Sequence, residues 1–494
     1  MRTYFVAGFF GSQKNARRLL GVALCLLVTA CGGGGGGSGA SAGGGSGGGT
    51  VTTVTVGGTI TGLTTTGLVL ANAGKNMSIS SYATTFQFTG IVVGSAYAVS
   101  IVSQPDSLVC SIANATGTAT AAVTNILVSC QPIAKAHVFD NVSTDAMMPY
   151  GGLVADSKGN YYGVAAGGGQ FGGGAVFKVT AQGNYSIVHS FGSVANDGES
   201  PYGDLIVDAN DNLYGATFNG GDVGAGNIYK ISADGTYTSL VSLGDFNNGA
   251  LVVSSVNGRL IRTSNGDLYG ISTYGGPSSA SAQNGVVFKY SNGVMTALHS
   301  FTEDSDGNGP TGAIVMDSTG NLYGTTYGGG DNNEGIVYKI ASDGTETILH
   351  SFAGDSTDGG FPYGGLTIDA SGNLYGSTIF GGPNNSGSIF KITAAGVYST
   401  VAFLNSADGS YPLGTLVLDA NQNLIGTAYL GGNATGTVFS VSPTGTVSLV
   451  YAFGTLNSEG ALPVGGVLLS GTTLMGTTSQ GGVNGYGILY SLSR

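Results

Sequence analysis

The residues of this chain able to do chemistry are few, and their spacing says more than their number. The four histidines stand at 137, 189, 299 and 350. Each lies in the same short pattern, as in Val188-His189-Ser190-Phe191 and Leu349-His350-Ser351-Phe352. One equivalent position in successive repeats spreads them round an array, which points to structure rather than to a shared substrate. Acids gather in Gly-rich stretches: Asp197-Gly198-Glu199, Asp304-Ser305-Asp306-Gly307-Asn308-Gly309, Asp355 with Asp358, and Asp408-Gly409. Several oxygen ligands on one short loop suit Ca²⁺, so Asp304, Asp306 and Asn308 are candidate ligands. Position twelve of that loop is Val315 instead of Glu, and ordinary Asx and Gly turns explain the same residues without an ion. Arg259 replaces a small residue at a first-strand position, where the preceding repeat has Asp204. If both face a central channel, they form an internal ion pair or bind a charged ligand together. No nucleophile–base set, metal-spaced His/Glu cluster or phosphate loop occurs. The Gly clusters precede no helix, and no carboxylate pair stands out for glycoside chemistry, although loop acids abound.

The elements that must position these residues follow from a repeat. An apolar strand ending in [Asn/Asp]-Leu-Tyr-Gly, or a near variant, recurs seven times, with its last Gly at 163, 215, 270, 324, 376, 426 and 476. Steps of 50 to 55 residues mean a repeat array. Within the fourth repeat, strands are predicted at 312–317, 321–326, 335–340 and 346–352, joined by Asp/Gly/Asn turns of the hairpin kind. Four-stranded units of this length suggest propeller blades. The last repeat stops after its third strand, while an extra fourth-strand copy, Ala136-His137-Val138-Phe139, precedes the first. The N-terminal copy can therefore complete the C-terminal blade, leaving only short strand edges. The expected fold is an all-β, seven-bladed β-propeller over 133–494, with an open β-solenoid as the alternative. Trp is absent, which removes the Trp-docking motifs of quinoprotein propellers.

Ahead of the repeats, residues 50–132 alternate as strands without repetition. Phe86-Gln87-Phe88-Thr89-Gly90 followed by Gly94-Ser95-Ala96-Tyr97-Ala98-Val99 looks like the hairpin of prealbumin-like sandwich modules. A small β-sandwich is expected there, as a spacer or a glycan-binding module. Residues 32–49 are Gly with three Ser and two Ala, a flexible coil with an r.m.s. span of about 20–25 Å.

The first 30 residues read as a targeting signal: Arg2, Lys14, Arg17 and Arg18, then the apolar run 19–30. Twelve residues are too few to span a bilayer. Val28-Thr29-Ala30-Cys31 resembles the lipobox of bacterial lipoproteins, which implies acylation of Cys31. Gly32 in place of Asp implies sorting to the outer membrane of a diderm cell. A plain secretory signal with an incidental Cys is the alternative. Cys110 and Cys130 then remain as an even pair in an oxidising compartment, so a disulfide is the expectation and free thiols the alternative. Loss of the signal takes the net charge from −12 to −16. Such a chain disfavours nucleic acid, and membrane attachment must come from the lipid.

Several elements of the repeat recur in order: Asn321-Leu322-Tyr323-Gly324-Thr325-Thr326, Gly328-Gly329-Gly330, Ile336-Val337-Tyr338-Lys339-Ile340 and Leu349-His350-Ser351-Phe352. Together they resemble the GloVer tandem repeat of bacterial surface and secreted proteins, over roughly residues 137–494. The resemblance implies a cell-envelope protein but no particular activity or cofactor. The repeat departs from its pattern at Arg259-Leu260-Ile261-Arg262 and at Ser470-Gly471-Thr472-Thr473. The leading expectation is a monomeric, non-enzymatic binding or scaffold module that takes a glycan or protein on its loop face. The alternative is a carbohydrate-active hydrolase or lyase working in the channel, an analogy from fold alone.

Overall fold

A computed structural model describes residues 52–494, except 104, 106–107, 133, 194–195, 247–250, 255, 257, 278–283, 302–303, 433, 455–458 and 494. The signal, Cys31 and the Gly tether lie outside the described residues. Apart from one turn of 3-10 helix at Asp304–Asp306, the elements described are β-strands.

The first eight strands are β1 (Thr53–Thr61), β2 (Val69–Asn72), β3 (Lys75–Ser78), β4 (Thr85–Val92), β5 (Ala96–Ser103), β6 (Leu108–Ala113), β7 (Thr116–Thr118) and β8 (Val123–Pro132). They form two four-stranded sheets, ordered β4-β1-β8-β6 and β3-β2-β5-β7. Alternation sends Val56, Ile126 and Val128 from one sheet, and Leu70 and Val99 from the other, into one buried core. The expected β4–β5 hairpin does not form: β4 pairs with β1 and β5 with β2. The turn between them crosses from one sheet to the other, because each strand has an apolar face for the shared core. Cys110 and Cys130 are directly opposite on β6 and β8 and form a disulfide.

The repeats fold as expected within each unit. Among the described residues, seven antiparallel sheets share one plan. In the fourth, the strands are Asn308–Met316, Leu322–Gly328, Ile336–Ile340 and Glu346–Ser351, in that spatial order. The seventh is completed by Ala134–Val138, which pairs with the third strand of the last repeat, Ile488–Ser493. At the degenerate Ser470-Gly471-Thr472-Thr473, the two strands still pair through a tight turn, with Ser470 opposite Thr473.

The Gly of each tetrad has a packing reason. It sits on the second strand directly opposite an aromatic residue of the third: Gly163 opposite Phe177, Gly215 opposite Tyr229 and Gly476 opposite Tyr490. A Cβ on Gly215 would stand 2.5 Å from the Tyr229 hydroxyl, and one on Gly163 would stand 2.5 Å from Phe177 Cζ. The ring therefore lies over the bare Cα. From the residue just after the fourth strand of the preceding sheet, a second aromatic ring packs on it: Phe139 on Phe177 at 5.2 Å, Phe191 on Tyr229 at 5.1 Å and Phe453 on Tyr490 at 5.1 Å. Phe139 follows the strand that completes the seventh sheet, so its contact with Phe177 ties the seventh sheet to the first.

Gly215→Ala is expected to destabilise the repeat region by about 1–3 kcal/mol, through overpacking against a buried ring. Tyr229→Phe alone should be nearly neutral, since the Tyr229 hydroxyl has no hydrogen-bond partner. Combined with Gly215→Ala it should recover part of the loss; denaturant unfolding of the four proteins gives the coupling. Reducing the Cys110–Cys130 bridge, 20 residues apart, should lower sandwich stability by about 3 kcal/mol, seen as a calorimetric transition that shifts under reductant.

Candidate functional site

Two kinds of loop meet at one end of the seven sheets. Each connection entering a sheet pairs with the loop between that sheet's second and third strands. Ala146 pairs with Gly168, Gly198 with Gly220, Val252 with Gly276, Asn308 with Gly328, Gly359 with Gly381, Ser410 with Leu430, and Gly460 with Gly481. The acidic connections and the Gly-Gly loops thus share one face.

Several acids of that face turn inward. Asp145, Asp197 and Asp358 are buried. Each carboxylate accepts from the His eight residues earlier: His137 Nε2 at 3.0 Å, His189 Nε2 at 3.2 Å and His350 Nε2 at 3.0 Å. Each also accepts from backbone N–H groups of its own turn. Burial works against the charged form of Asp145, but hydrogen bonds from His137, Tyr185 and the Ala146 amide outweigh it and hold the carboxyl below its usual range. A Tyr from the next sheet lies flat on each imidazole: Tyr185 on His137 at 3.5 Å, Tyr237 on His189 at 3.9 Å and Tyr398 on His350 at 3.5 Å. One β-bulge recurs beside this position in all seven sheets; in the first, His189 opposes Val176 while Ile187 opposes Phe177. Such bulges re-aim side chains. Glu459 plays the acid's part elsewhere, accepting from the Tyr451 hydroxyl at 2.6 Å and the Gly454 amide at 3.2 Å.

The first strands come together through glycine. A Cβ on Gly312 would stand 2.6 Å from the Gly364 backbone, and one on Gly364 2.8 Å from the Gly414 carbonyl. The contacts continue from Gly414 to Gly466 at 2.6 Å, from Gly465 to Gly151 at 2.6 Å, and from Gly151 to Gly203 at 3.2 Å, while Gly258 abuts Gly312. Between the second and third sheets lies instead a cavity of about 440 Å³, lined by Ile206, Asp208, Arg259, Leu260 and Arg262.

Tyr150, Tyr202 and Tyr363 stand one residue before three of these glycines, each after a proline. All three are half-buried. The Tyr150 and Tyr202 rings lie 5.5 Å apart, and Phe218 packs edge-on to Tyr202 at 5.5 Å. Burial, then the neighbouring phenols of Tyr150 and Tyr274, pushes the Tyr363 phenol up to about 12. Burial, then Tyr429, does the same to Tyr150, also to about 12. Tyr202 is raised by burial and by Tyr150. These phenols gather at one end of the glycine contacts and stay protonated at neutral pH. Alongside runs a second aromatic row: Tyr327, Phe361, Phe380 and Tyr411, at 4.9, 5.8 and 5.3 Å between successive rings.

Asp204 and Arg259 occupy equivalent positions two residues before the first strands Ile206–Val207 and Ile261–Arg262, but among the described residues no ion pair joins them. Asp204 reaches the other way and accepts from the Gly152 amide at 2.5 Å. Arg259 lines the cavity, where Arg262 lies 3.9 Å from Asp208 and 5.0 Å from the Tyr214 ring centre. Asp304 and Asp306 share the 3-10 turn, and Asn308 begins the next strand. Asp306 stands with His299 and Glu346, one ligand atom of each within 4.8 Å of the others. The tyrosines were missed in the sequence; their signal was the Pro-Tyr-Gly of Pro149-Tyr150-Gly151, Pro201-Tyr202-Gly203 and Pro362-Tyr363-Gly364.

No curated protein matches the chain. Among solved structures, a gluconolactonase from Xanthomonas campestris is similar at 14% identity and a TM-score of 0.36, over 65% of this chain and 98% of that one. A chain of the Mitotic Checkpoint Complex is similar at 12% identity and a TM-score of 0.47, over 73% and 92%. The profile of the Gloeobacter/Verrucomicrobia repeat matches residues 96–313 and 257–490. With the sevenfold tetrad and its glycine–aromatic pairing, that match settles the kinship: the chain belongs to the Gloeobacter/Verrucomicrobia repeat family.

Proposed function

We propose that the protein is a lipid-anchored component of the bacterial outer membrane whose seven sheets form a closed seven-bladed β-propeller. It acts as a non-enzymatic binding module for carbohydrate, held off the membrane by the Gly tether and the sandwich. The observation that carries the reading is the convergence of Tyr150, Tyr202 and Tyr363 at one end of the glycine contacts. Aromatic faces offer apolar area with a polar tip, a combination that suits a sugar face and its hydroxyls. Their phenols are pushed up by burial, so they donate hydrogen bonds at neutral pH and are poor general bases. Asp145, Asp197 and Asp358 of the same face are held by hydrogen bonds of their own turns, so the reading puts the binding chemistry on the aromatic residues between them.

Two measurements test this. Glycan-array and calorimetric binding with residues 52–494 should find a saturable polysaccharide ligand. Affinity for it should fall at least tenfold in Tyr150→Ala/Tyr202→Ala, a loss of about 1.4 kcal/mol or more. Unchanged binding in that variant, or no glycan ligand at all, would move the function to a protein partner. Separately, Cys31→Ala should shift the full-length protein from the membrane to the soluble fraction; unchanged fractionation would refute the lipid anchor.

A further inference from the structure

The His–Asp–Tyr arrangement occurs at three sheet junctions and is altered at a fourth. Between the third and fourth sheets, His299 and Asp306 keep their places, but the residue where the others have Tyr185, Tyr237 or Tyr398 is Glu346. The stacked ring is replaced by a second carboxylate. His299 Nε2 lies 3.5 Å from Glu346 Oε2 and 4.0 Å from Asp306 Oδ2, too long for hydrogen bonds. Both His299 Nε2 and Glu346 Oε1 are buried without a hydrogen-bond partner, whereas His137, His189 and His350 each hold a carboxylate at 3.0–3.2 Å. One ligand atom from each of the three residues lies within 4.8 Å of the other two.

We propose that His299, Asp306 and Glu346 form a binding site for one divalent first-row transition ion, with Zn²⁺ as the test ion. A tetrahedral ion with bonds of about 2.1 Å holds its ligand atoms about 3.4 Å apart. Ion binding would draw together the ligand atoms, which now lie within 4.8 Å of one another, to reach that spacing. An imidazole nitrogen beside two carboxylates suits this ion class better than Ca²⁺, which takes oxygen ligands. A dication compensates the two carboxylates together. The site is independent of the proposed glycan surface.

Full-length protein in detergent, stripped with chelator, should bind Zn²⁺ by calorimetry at one ion per chain. Co²⁺ should give the visible d–d absorption of a low-symmetry site. His299→Ala should lower Zn²⁺ affinity at least tenfold. Glu346→Tyr restores the residue of the sister junctions and should abolish binding while leaving the ion-free melting temperature equal or higher, which separates loss of the site from loss of the fold. Absence of saturable binding, or wild-type affinity in Glu346→Tyr, would overturn the site in favour of a metal-free ion pair.

Discussion

The structure of the repeat region depends on a contact between a missing side chain and a ring. The second strand of each sheet carries Gly where the third carries Phe or Tyr, and the two stand directly opposite. A cross-strand pair on one face is separated by only about 4.5–5.5 Å at Cβ. A large ring cannot lie flat over its neighbour there unless the neighbour has no Cβ. The glycine gives up intrinsic strand preference, and the ring it accommodates recovers stability by burial. Once the ring lies over the strand, its outer face receives a residue of the preceding sheet, which is Phe at five junctions and Leu243 or Leu404 at the other two. One substitution-sensitive contact thus joins two strands within a sheet and one sheet to the next.

The same economy governs the polar groups. Asp156 accepts from the Asn160 amide, the Asn160 side chain and the Tyr162 hydroxyl, and Asp317 does the same with Asn321 and Tyr323. Burial opposes the Asp317 charge, yet these donors hold it far below the usual range. Asp145, Asp197 and Asp358 are similarly enclosed on the opposite turns. A chain so acidic overall therefore presents fewer free carboxylates than its composition suggests, because each buried acceptor must find donors.

How much of this was legible depended on whether a feature repeats. Strand order, the Asx turns and completion of the last sheet by Ala134–Val138 could be read because each appears several times at a fixed interval. The pairing of β4 with β1 could not, since alternation says which face of a strand is buried but not which strand lies beside it. The aromatic convergence was hidden for another reason. The chain has 25 Tyr, and rings such as Tyr229, Tyr338 and Tyr490 are core residues. Nothing in composition separates these from Tyr150 and Tyr202, which lie beside the glycine contacts. Arg259 was visible as a departure; that its counterpart Asp204 accepts from the Gly152 amide was not.

A repeat also makes departures informative in a way that isolated sequences are not. Where His, Asp and Tyr are held by one another at three junctions, a fourth junction with Glu in place of Tyr has three matched controls inside the same molecule. The controls show what the fold requires there: an acceptor for the imidazole and a ring to cover it. Glu346 supplies no ring, and its distance from His299 exceeds a hydrogen bond, so the structural requirement does not explain the residue. The tyrosines beside the glycine contacts are informative by the same comparison. Thr311, Leu413 and Val464 fill the equivalent position in other sheets, so the position tolerates many side chains. Rings there are not demanded by packing, and it is their meeting at one end of the glycine contacts on which the proposed carbohydrate binding rests.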